Sequence, residues 1–262
     1  MNFKFIKTLR QKSVEVVSVL SVIVLWQFTA DWIVQNKLKL PSFYDVLVSF
    51  FSILESGSFF TDLLISLLHF GIGTIAAFLV GIPLGIAMGW FKKTSRAMDP
   101  IIEILRPIPP LAWIPFAMAW FGLTPTAAGF IVFMGMVFPI IINTYTGFKN
   151  IPKIYVEAAK VLGCNSNREL IRYVALPSAM PSIVAGIRIA MGVGWMCLVA
   201  AEMFGVNEDG LGYELWQSSH LHRMNFVLMY MLLLGFLGLF IDRSFRYYAE
   251  SKLLKWKAGI VV

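Results

Sequence analysis

The titratable side chains within the apolar stretches of this sequence are the first candidates for chemistry, and they are few. Glu202 lies near the end of one apolar stretch, and Asp31 and His69 lie in two others. They are too scattered to form the acid and base pair that a membrane-embedded enzyme needs. His220 and His222 are close together but have no third metal ligand nearby in the sequence. The sequence therefore predicts neither catalytic residues nor a metal site.

The glycines do not form a nucleotide-binding signature. The sequence contains no G-x-x-x-x-G-K-[ST] phosphate loop, which is the usual device for binding the phosphates of ATP. Two isolated G-x-G pairs are present, and no predicted strand precedes either of them: Gly71 with Gly73, and Gly192 with Gly194. We therefore expect that the chain is not an enzyme, that it holds no cofactor and that it does not hydrolyse ATP itself.

A short polar segment between two long apolar ones has the most distinctive pattern. It reads Glu157-Ala158-Ala159-Lys160-Val161-Leu162-Gly163 and is followed by Leu176-Pro177. Asn150 as N-cap and Pro152 in the first turn predict a helix from Ile151 to Leu162 that stops at Gly163.

A second short helix should follow, because Ser166 and Glu169 have the spacing of a capping box. It is expected to end before Pro177. Two short helices joined at a glycine would make a compact knob. The small side chains of Ala158 and Ala159 would let the knob enter a groove of a partner protein, with Glu157 as a charged anchor.

The composition places these residues in a membrane protein. Hydrophobic residues make up 58% of the 262 residues and charged residues only 14%, which is typical of a chain that lives in lipid. A membrane span needs about 20 apolar residues. Six such windows are predicted to be transmembrane helices: Val14–Val34, Leu63–Phe91, Ile101–Gly122, Thr126–Tyr145, Pro177–Phe204 and Met224–Ile241.

The positive charges predict the orientation of the chain. Of the 22 Lys and Arg residues, 17 fall in segments on one side of the predicted spans, and this side should be the cytoplasm. Both termini and the polar segment 150–176 are then cytoplasmic. The net charge of +7 is explained by contact with anionic lipid headgroups, so no nucleic-acid partner is expected.

Spaced small and polar residues predict two further features of the helices. Gly73, Ala77, Gly81, Gly85 and Gly89 form a stripe on the second span, and a similar stripe on the fifth span predicts that the two helices contact each other. Between the first two spans, residues 42–56 alternate as in an amphipathic helix lying on the outer membrane surface.

Charged residues and prolines inside apolar segments are candidates for a functional role. Arg106, Arg188 and Glu202 are costly to place in a membrane and are functional candidates for that reason. The arginines could contact an anionic solute. Alternatively, Arg106 could extend to the headgroups while Arg188 pairs within the helix bundle. The prolines break helix geometry and indicate a gate or pathway wall: Pro107, Pro109 and Pro110.

The sequence from Pro107 to Lys257 resembles the membrane permease of type I ATP-binding-cassette importers, in particular the nitrate, sulfonate, taurine and bicarbonate type. The polar segment resembles the EAA loop of this family. Further matching stretches are Arg106-Pro107-Ile108-Pro109-Pro110-Leu111-Ala112-Trp113, Gly192-Val193-Gly194-Trp195, Ala201-Glu202-Met203-Phe204-Gly205 and Gly210-Leu211-Gly212. In one departure, ten residues rather than the commoner nine separate Gly163 from Val174, the hydrophobic residue before Leu176-Pro177.

The resemblance implies an all-α integral membrane protein, a single permease domain over 1–262. It would have an N-terminal helix at 14–34, an outer amphipathic helix at 42–56, core helices within 63–246 and a cytoplasmic coupling loop at 150–176. The coupling residues would be Glu157, Ala158, Ala159, Gly163, Leu176 and Pro177, and Trp113 would join the pathway candidates.

The resemblance also implies the partners. These are a second copy of the chain, two cytoplasmic ATPase subunits that bind ATP and Mg, an extracytoplasmic solute-binding protein, and the lipid of a prokaryotic inner membrane. The solute would be a small anion or a vitamin precursor. An ion-coupled secondary transporter is the alternative, but it would need mid-membrane carboxylates and usually an internal repeat, and neither is evident.

Overall fold

The computed structural model describes residues 3–206 and 208–253, which form helices and turns with no strand among them. By internal contacts the chain divides into two compact units, Met1–Thr61 with Glu214–Leu233 and Asp62–Tyr213 with Leu234–Val262. A single domain over 1–262 stays a prediction. The last residues of both termini, expected in the cytoplasm, lie outside the described residues.

Eleven α-helices follow one another in the described part of the chain. Their bounds are α1 Phe3–Phe28, α2 Phe43–Ser56, α3 Ser58–Trp90, α4 Lys92–Leu105, α5 Ile114–Phe121, α6 Pro125–Lys149, α7 Lys153–Val161, α8 Asn167–Leu170, α9 Leu176–Met203, α10 Leu211–His220 and α11 Met224–Tyr248. Wide π turns extend α1 over Thr29–Val34, join α8 to α9 over Ile171–Ala175 and follow α11 over Ala249–Leu253. A 3₁₀ turn, Pro110–Trp113, precedes α5.

Five of the six predicted spans are confirmed as helices long and apolar enough to cross a membrane. They are Val16–Val34, Ser58–Trp90, Pro125–Lys149, Asn167–Met203 and Met224–Tyr248. The third predicted span, Ile101–Gly122, is not one continuous helix: it falls on two helices that are long and apolar enough to cross a membrane only when taken together as one broken span. The chain there bends by 89° between Lys92–Leu105 and Pro110–Phe121, because the prolines at the bend lack the N–H group that a continuing helix requires.

The first unit contains α1 and the predicted amphipathic helix, which is confirmed as α2. Ser42 and Asp45 form a capping box that starts α2. The indole of Trp26 on α1 donates a hydrogen bond of 3.0 Å to the Pro41 carbonyl just before that cap. Asn225 on α11 donates a hydrogen bond of 2.8 Å to Ser49 on α2. Side-chain hydrogen bonds therefore connect α2 to both α1 and α11.

In the second unit, α6 packs against both α3 and α9. A methyl group placed on Gly85 of α3 would lie 2.6 Å from Cβ of Thr144 on α6, and one on Gly186 of α9 would lie 2.4 Å from Cβ of Asn143. The predicted contact between α3 and α9 is present, through His69 and Phe70 of α3 and Glu202 and Trp195 of α9, but the glycine stripes themselves face α6. The reason is that α6 also has glycines on both of its faces, including Gly129 toward α3 and Gly135 toward α9, so three backbones approach closely.

Candidate functional site

The coupling loop begins with α7, which ends in a well-defined glycine corner. Gly163 has a φ of +99°, a left-handed conformation that glycine adopts without steric cost. The N–H of Cys164 donates to the Ala159 carbonyl at 3.0 Å, and that of Gly163 donates to the Lys160 carbonyl at 3.0 Å. These two bonds are the Schellman motif. The predicted end of the first helix at Gly163 is confirmed.

The start of α7 differs from the sequence prediction. The helix begins at Lys153 with the extended residue Pro152 as its N-cap, and Asn150 caps the C-terminus of α6 instead. The reason is that a residue before proline is pushed out of the helical region. Ile151 therefore cannot begin the helix.

The two alanines of the motif lie on different faces of α7. Ala159 is buried within the chain, whereas Ala158 and Glu157 are exposed. At the corner, Val161 and Leu162 are 88% and 86% exposed. An exposed apolar tip beside a small residue and a carboxylate is a surface suited to a partner protein.

The second half of the loop is continuous with the next membrane helix. The Ser166 and Glu169 capping box that starts α8 is present as predicted. The helix does not stop before Pro177, however, but runs through the π turn Ile171–Ala175 into α9, so that Leu176 and Pro177 form the first turn of α9. The π turn begins within the interval in which the sequence has ten residues rather than nine, and it extends past Val174 to Ala175. A π turn closes one residue later than an α turn, and this accommodates the additional residue.

The proline-rich pathway candidates lie at the bend between α4 and α5. Arg106, Pro107 and Pro109 are exposed, and Pro110 is partly buried. The Trp113 indole nitrogen is buried without a hydrogen-bond partner in the structure. Its ring packs against Phe116 and Phe130. The bend thus combines an exposed arginine, three prolines and an aromatic cluster.

Arg188 on α9 forms an ion pair with Asp242 on α11. Its Nε and Nη2 atoms donate hydrogen bonds of 2.9 and 3.0 Å to the two carboxylate oxygens. The side chains of Arg188 and Asp242 are 49% and 36% exposed. This is the pairing within the bundle that the sequence offered as one of two alternatives for Arg188.

Glu202 lies at the centre of a buried polar cluster. His69 Nδ1 lies 2.9 Å from Oε1 of Glu202, and the other oxygen accepts hydrogen bonds from Ser66 Oγ at 3.0 Å and from the Gly212 N–H at 2.9 Å. Ser66 Oγ in turn accepts from the Leu211 N–H at 3.0 Å. The three side chains are completely buried. The cluster joins α3, α9 and the start of α10.

Residues 81–252 match the protein family described as the inner membrane component of binding-protein-dependent transport systems. The chain belongs to this family. The resemblance inferred from the sequence is thereby confirmed: the chain is the membrane-spanning permease of an ATP-driven importer and a multi-pass membrane protein.

Several curated relatives of the permease are similar over most of its length. A putative ABC transporter permease of Methanocaldococcus jannaschii is 41% identical over 239 residues, covering 90% of this chain and 88% of the relative. The putative aliphatic sulfonates transport permease of Bacillus subtilis is 31% identical, covering 90% and 84%. The taurine transport permease of Escherichia coli is 30% identical, covering 96% and 92%.

Among solved structures, the permease resembles a chain of the MetNI methionine ABC transporter in an inward-facing conformation. The TM-score is 0.55 at 22% identity, covering 73% of this chain and 97% of that chain. This likeness shows that the two chains share a fold.

Sequence reasoning missed the partners of the charged residues in the permease. Asp242 was not singled out, although it is the acidic residue of the last span, and Ser66 and Gly212 were not connected with Glu202. The available signal was the small number of charges in apolar segments, because each buried charge needs a partner.

Proposed function

We propose that two copies of this permease form the pathway, bind two separate cytoplasmic ATPase subunits through their coupling loops, and receive solute from an extracytoplasmic binding protein. The observation that carries this proposal is the exposed surface of α7 and its glycine corner. The permease itself would be without catalytic activity, and ATP and Mg would bind the ATPase subunits.

Rigidity of the loop supports a coupling role. ATP must favour one arrangement of the permease by several kcal/mol, about 5.5 kcal/mol to move a population from 1:99 to 99:1. A loop that transmits this free-energy difference to the membrane helices must keep a fixed conformation. The Schellman motif at Gly163, the capping box at Ser166 and the helical connection into α9 each limit its motion.

The proposed solute is a small anion. The names of the relatives include permeases for aliphatic sulfonates, bicarbonate, nitrate and taurine. Within this permease Arg188 is already neutralised by Asp242, whereas Arg106 is exposed at the proline bend and forms no ion pair with a described residue. Arg106 is therefore the stronger candidate for contact with an anion, and the ligand of the binding protein would identify the solute.

The proposed location is a prokaryotic inner membrane with both termini and the coupling loop in the cytoplasm. The positive-inside distribution of the 22 Lys and Arg residues supports this orientation. The alternative of an ion-coupled secondary transporter has no support from the family match.

The proposal is tested by co-purifying the ATPase subunit with tagged permease variants. Ala158→Trp places a large side chain on the exposed face of α7 and should abolish co-purification, while Ala97→Trp places the same side chain on exposed α4 outside the loop and should not. Equal ATPase recovery with Ala158→Trp and wild type would show that α7 is not the docking element.

A further inference from the structure

We propose that a basic cleft beside α7 binds the phosphate group of an anionic phospholipid. The cleft has a volume of about 720 Å³ and is lined by the end of α3, the start of α4, the end of α6, and α7. The cleft lies between the coupling helix and the membrane helices, and it shares Glu157 with the exposed face of α7 that is proposed to contact the ATPase.

The charges of the cleft are strongly unbalanced. Five basic residues line it, from three different helices: Lys92, Arg96, Lys149, Lys153 and Lys160. Glu157 is the only acidic residue in its lining. Within the described part of the chain, none of the five forms an ion pair with a carboxylate. Like charges gathered without counter-charges repel one another, so a bound anionic headgroup would stabilise the arrangement.

The floor of the cleft is apolar, and this favours a lipid over a soluble anion. Buried Met88 and Phe148, with partly buried Val156, line it below the basic rim. The Lys149 ammonium donates to the Tyr145 hydroxyl at 3.1 Å and lies 5.2 Å from the centre of its ring. A phosphate would contact the rim, while the glycerol and first methylene groups of a lipid would cover the floor.

The cleft also lies where phospholipid phosphates are found. The candidate spans α3 and α6 end at Trp90 and Lys149, and both residues line the cleft together with Tyr145. Trp and Tyr at the ends of spans mark the interface between hydrocarbon and water. Basic residues at this depth attract anionic headgroups.

Such a lipid would connect the coupling helix to the helix bundle. Lys92 and Arg96 lie on α4, Lys149 on α6, and Lys153 and Lys160 on α7, so a lipid headgroup in the cleft would lie against all three elements. The anionic lipid content of the membrane would then affect how firmly α7 is held. Only this consequence rests on the proposed function; the lipid site does not.

Native mass spectrometry of the purified permease, titrated with phosphatidylglycerol or phosphatidylcholine, tests the site without the ATPase. Arg96→Gln with Lys153→Gln removes two charges of the cleft, and Lys93→Gln with Arg168→Gln removes two exposed charges outside it. The first pair should weaken phosphatidylglycerol binding about 30-fold, about fivefold for each charge. The control pair should leave it within about twofold, and phosphatidylcholine binding should not change.

Two further variants make the result specific. Arg96→Lys with Lys153→Arg keeps both charges and should retain binding, and Lys92→Gln with Lys160→Gln should reproduce the loss from other positions in the cleft. Equal losses in the cleft and control pairs would overturn the proposal, since they would indicate general surface charge. Displacement of the lipid by millimolar inorganic phosphate would indicate a soluble anion instead. If the cleft variants bind phosphatidylglycerol as wild type does but no longer co-purify with the ATPase, the cleft is a protein-binding surface. That result would also overturn the lipid proposal.

Discussion

At the scale of single residues, the carboxylate of Glu202 shows how an intramembrane charge can serve the fold. Both of its oxygens are hydrogen-bonded within the chain, so its desolvation is compensated locally. The backbone around it is adapted as well. Gly210 has a φ of +115°, and a methyl group there would lie 2.6 Å from the carboxylate. We therefore expect Glu202 to hold the start of α10 rather than to contact solute.

Replacement of Glu202 by alanine should destabilise the permease strongly. The variant leaves buried donors on Ser66, His69 and Gly212 without their acceptor, and breaking such a cluster costs about 3–5 kcal/mol. The measurement is the thermal stability of the detergent-solubilised chain, followed by size-exclusion chromatography after heating. Glu208→Ala is the control, since Glu208 is exposed nearby. Equal melting temperatures for the two variants would contradict a structural role.

At the scale of helices, the contact between α3 and α6 should tolerate substitution only at specific glycines. Gly85→Val would place a side chain 2.6 Å from Thr144, whereas Gly71 on the same helix has no atom within 4 Å of an added methyl group. Gly85→Val should therefore prevent accumulation of folded protein in the membrane, because neither backbone can move without disturbing the packing. Gly71→Val should accumulate normally. The readout is the yield of monodisperse protein, and a normal yield of Gly85→Val would show that α3 and α6 are not closely packed.

The helices themselves could be predicted from the sequence because their signals are local. Five apolar windows, the Gly163 corner and the Ser166 capping box depend on hydropathy or on residues within one turn. The helix against which each glycine stripe packs could not be predicted. A stripe of glycines indicates that another helix backbone packs closely but does not identify that helix. Here both stripes pack against α6. The bend at Pro107, Pro109 and Pro110 was recognised as an interruption, but its angle depends on packing beyond the prolines.

The functional residues divide in the same way. The coupling motif was recognisable because its residues are contiguous. That Ala159 is buried and Ala158 exposed could not be foreseen, since the outward face of α7 is set by how the helix packs against the rest of the chain. Arg188 and Asp242 are 54 residues apart in the sequence, so their pairing required the packing of α9 against α11.

At the scale of the whole molecule, the orientation can be tested with the two cysteines. Cys164 follows the glycine corner and is partly exposed, whereas Cys197 is buried in α9. In inside-out vesicles lacking the ATPase, a membrane-impermeant maleimide should label Cys164, and Cys164→Ser should remove the signal. Intact cells should show no labelling. Labelling of Cys164 from outside intact cells would reverse the proposed topology.

The π turn between α8 and α9 implies an unusual tolerance to a change in chain length. Deleting one residue from an ordinary helix rotates everything beyond it by about 100°, so deletion of Ile189 from α9 should displace Gly194 from α6 and Glu202 from its cluster. Deletion of exposed Tyr173 should instead convert the wide turn into an α turn and leave both flanking helices in phase. We expect the Tyr173 deletion to be produced and to retain its ATPase, and the Ile189 deletion to be lost. The π turn thus provides one place in the coupling loop where the chain can lose a residue without rotating the helices of the bundle.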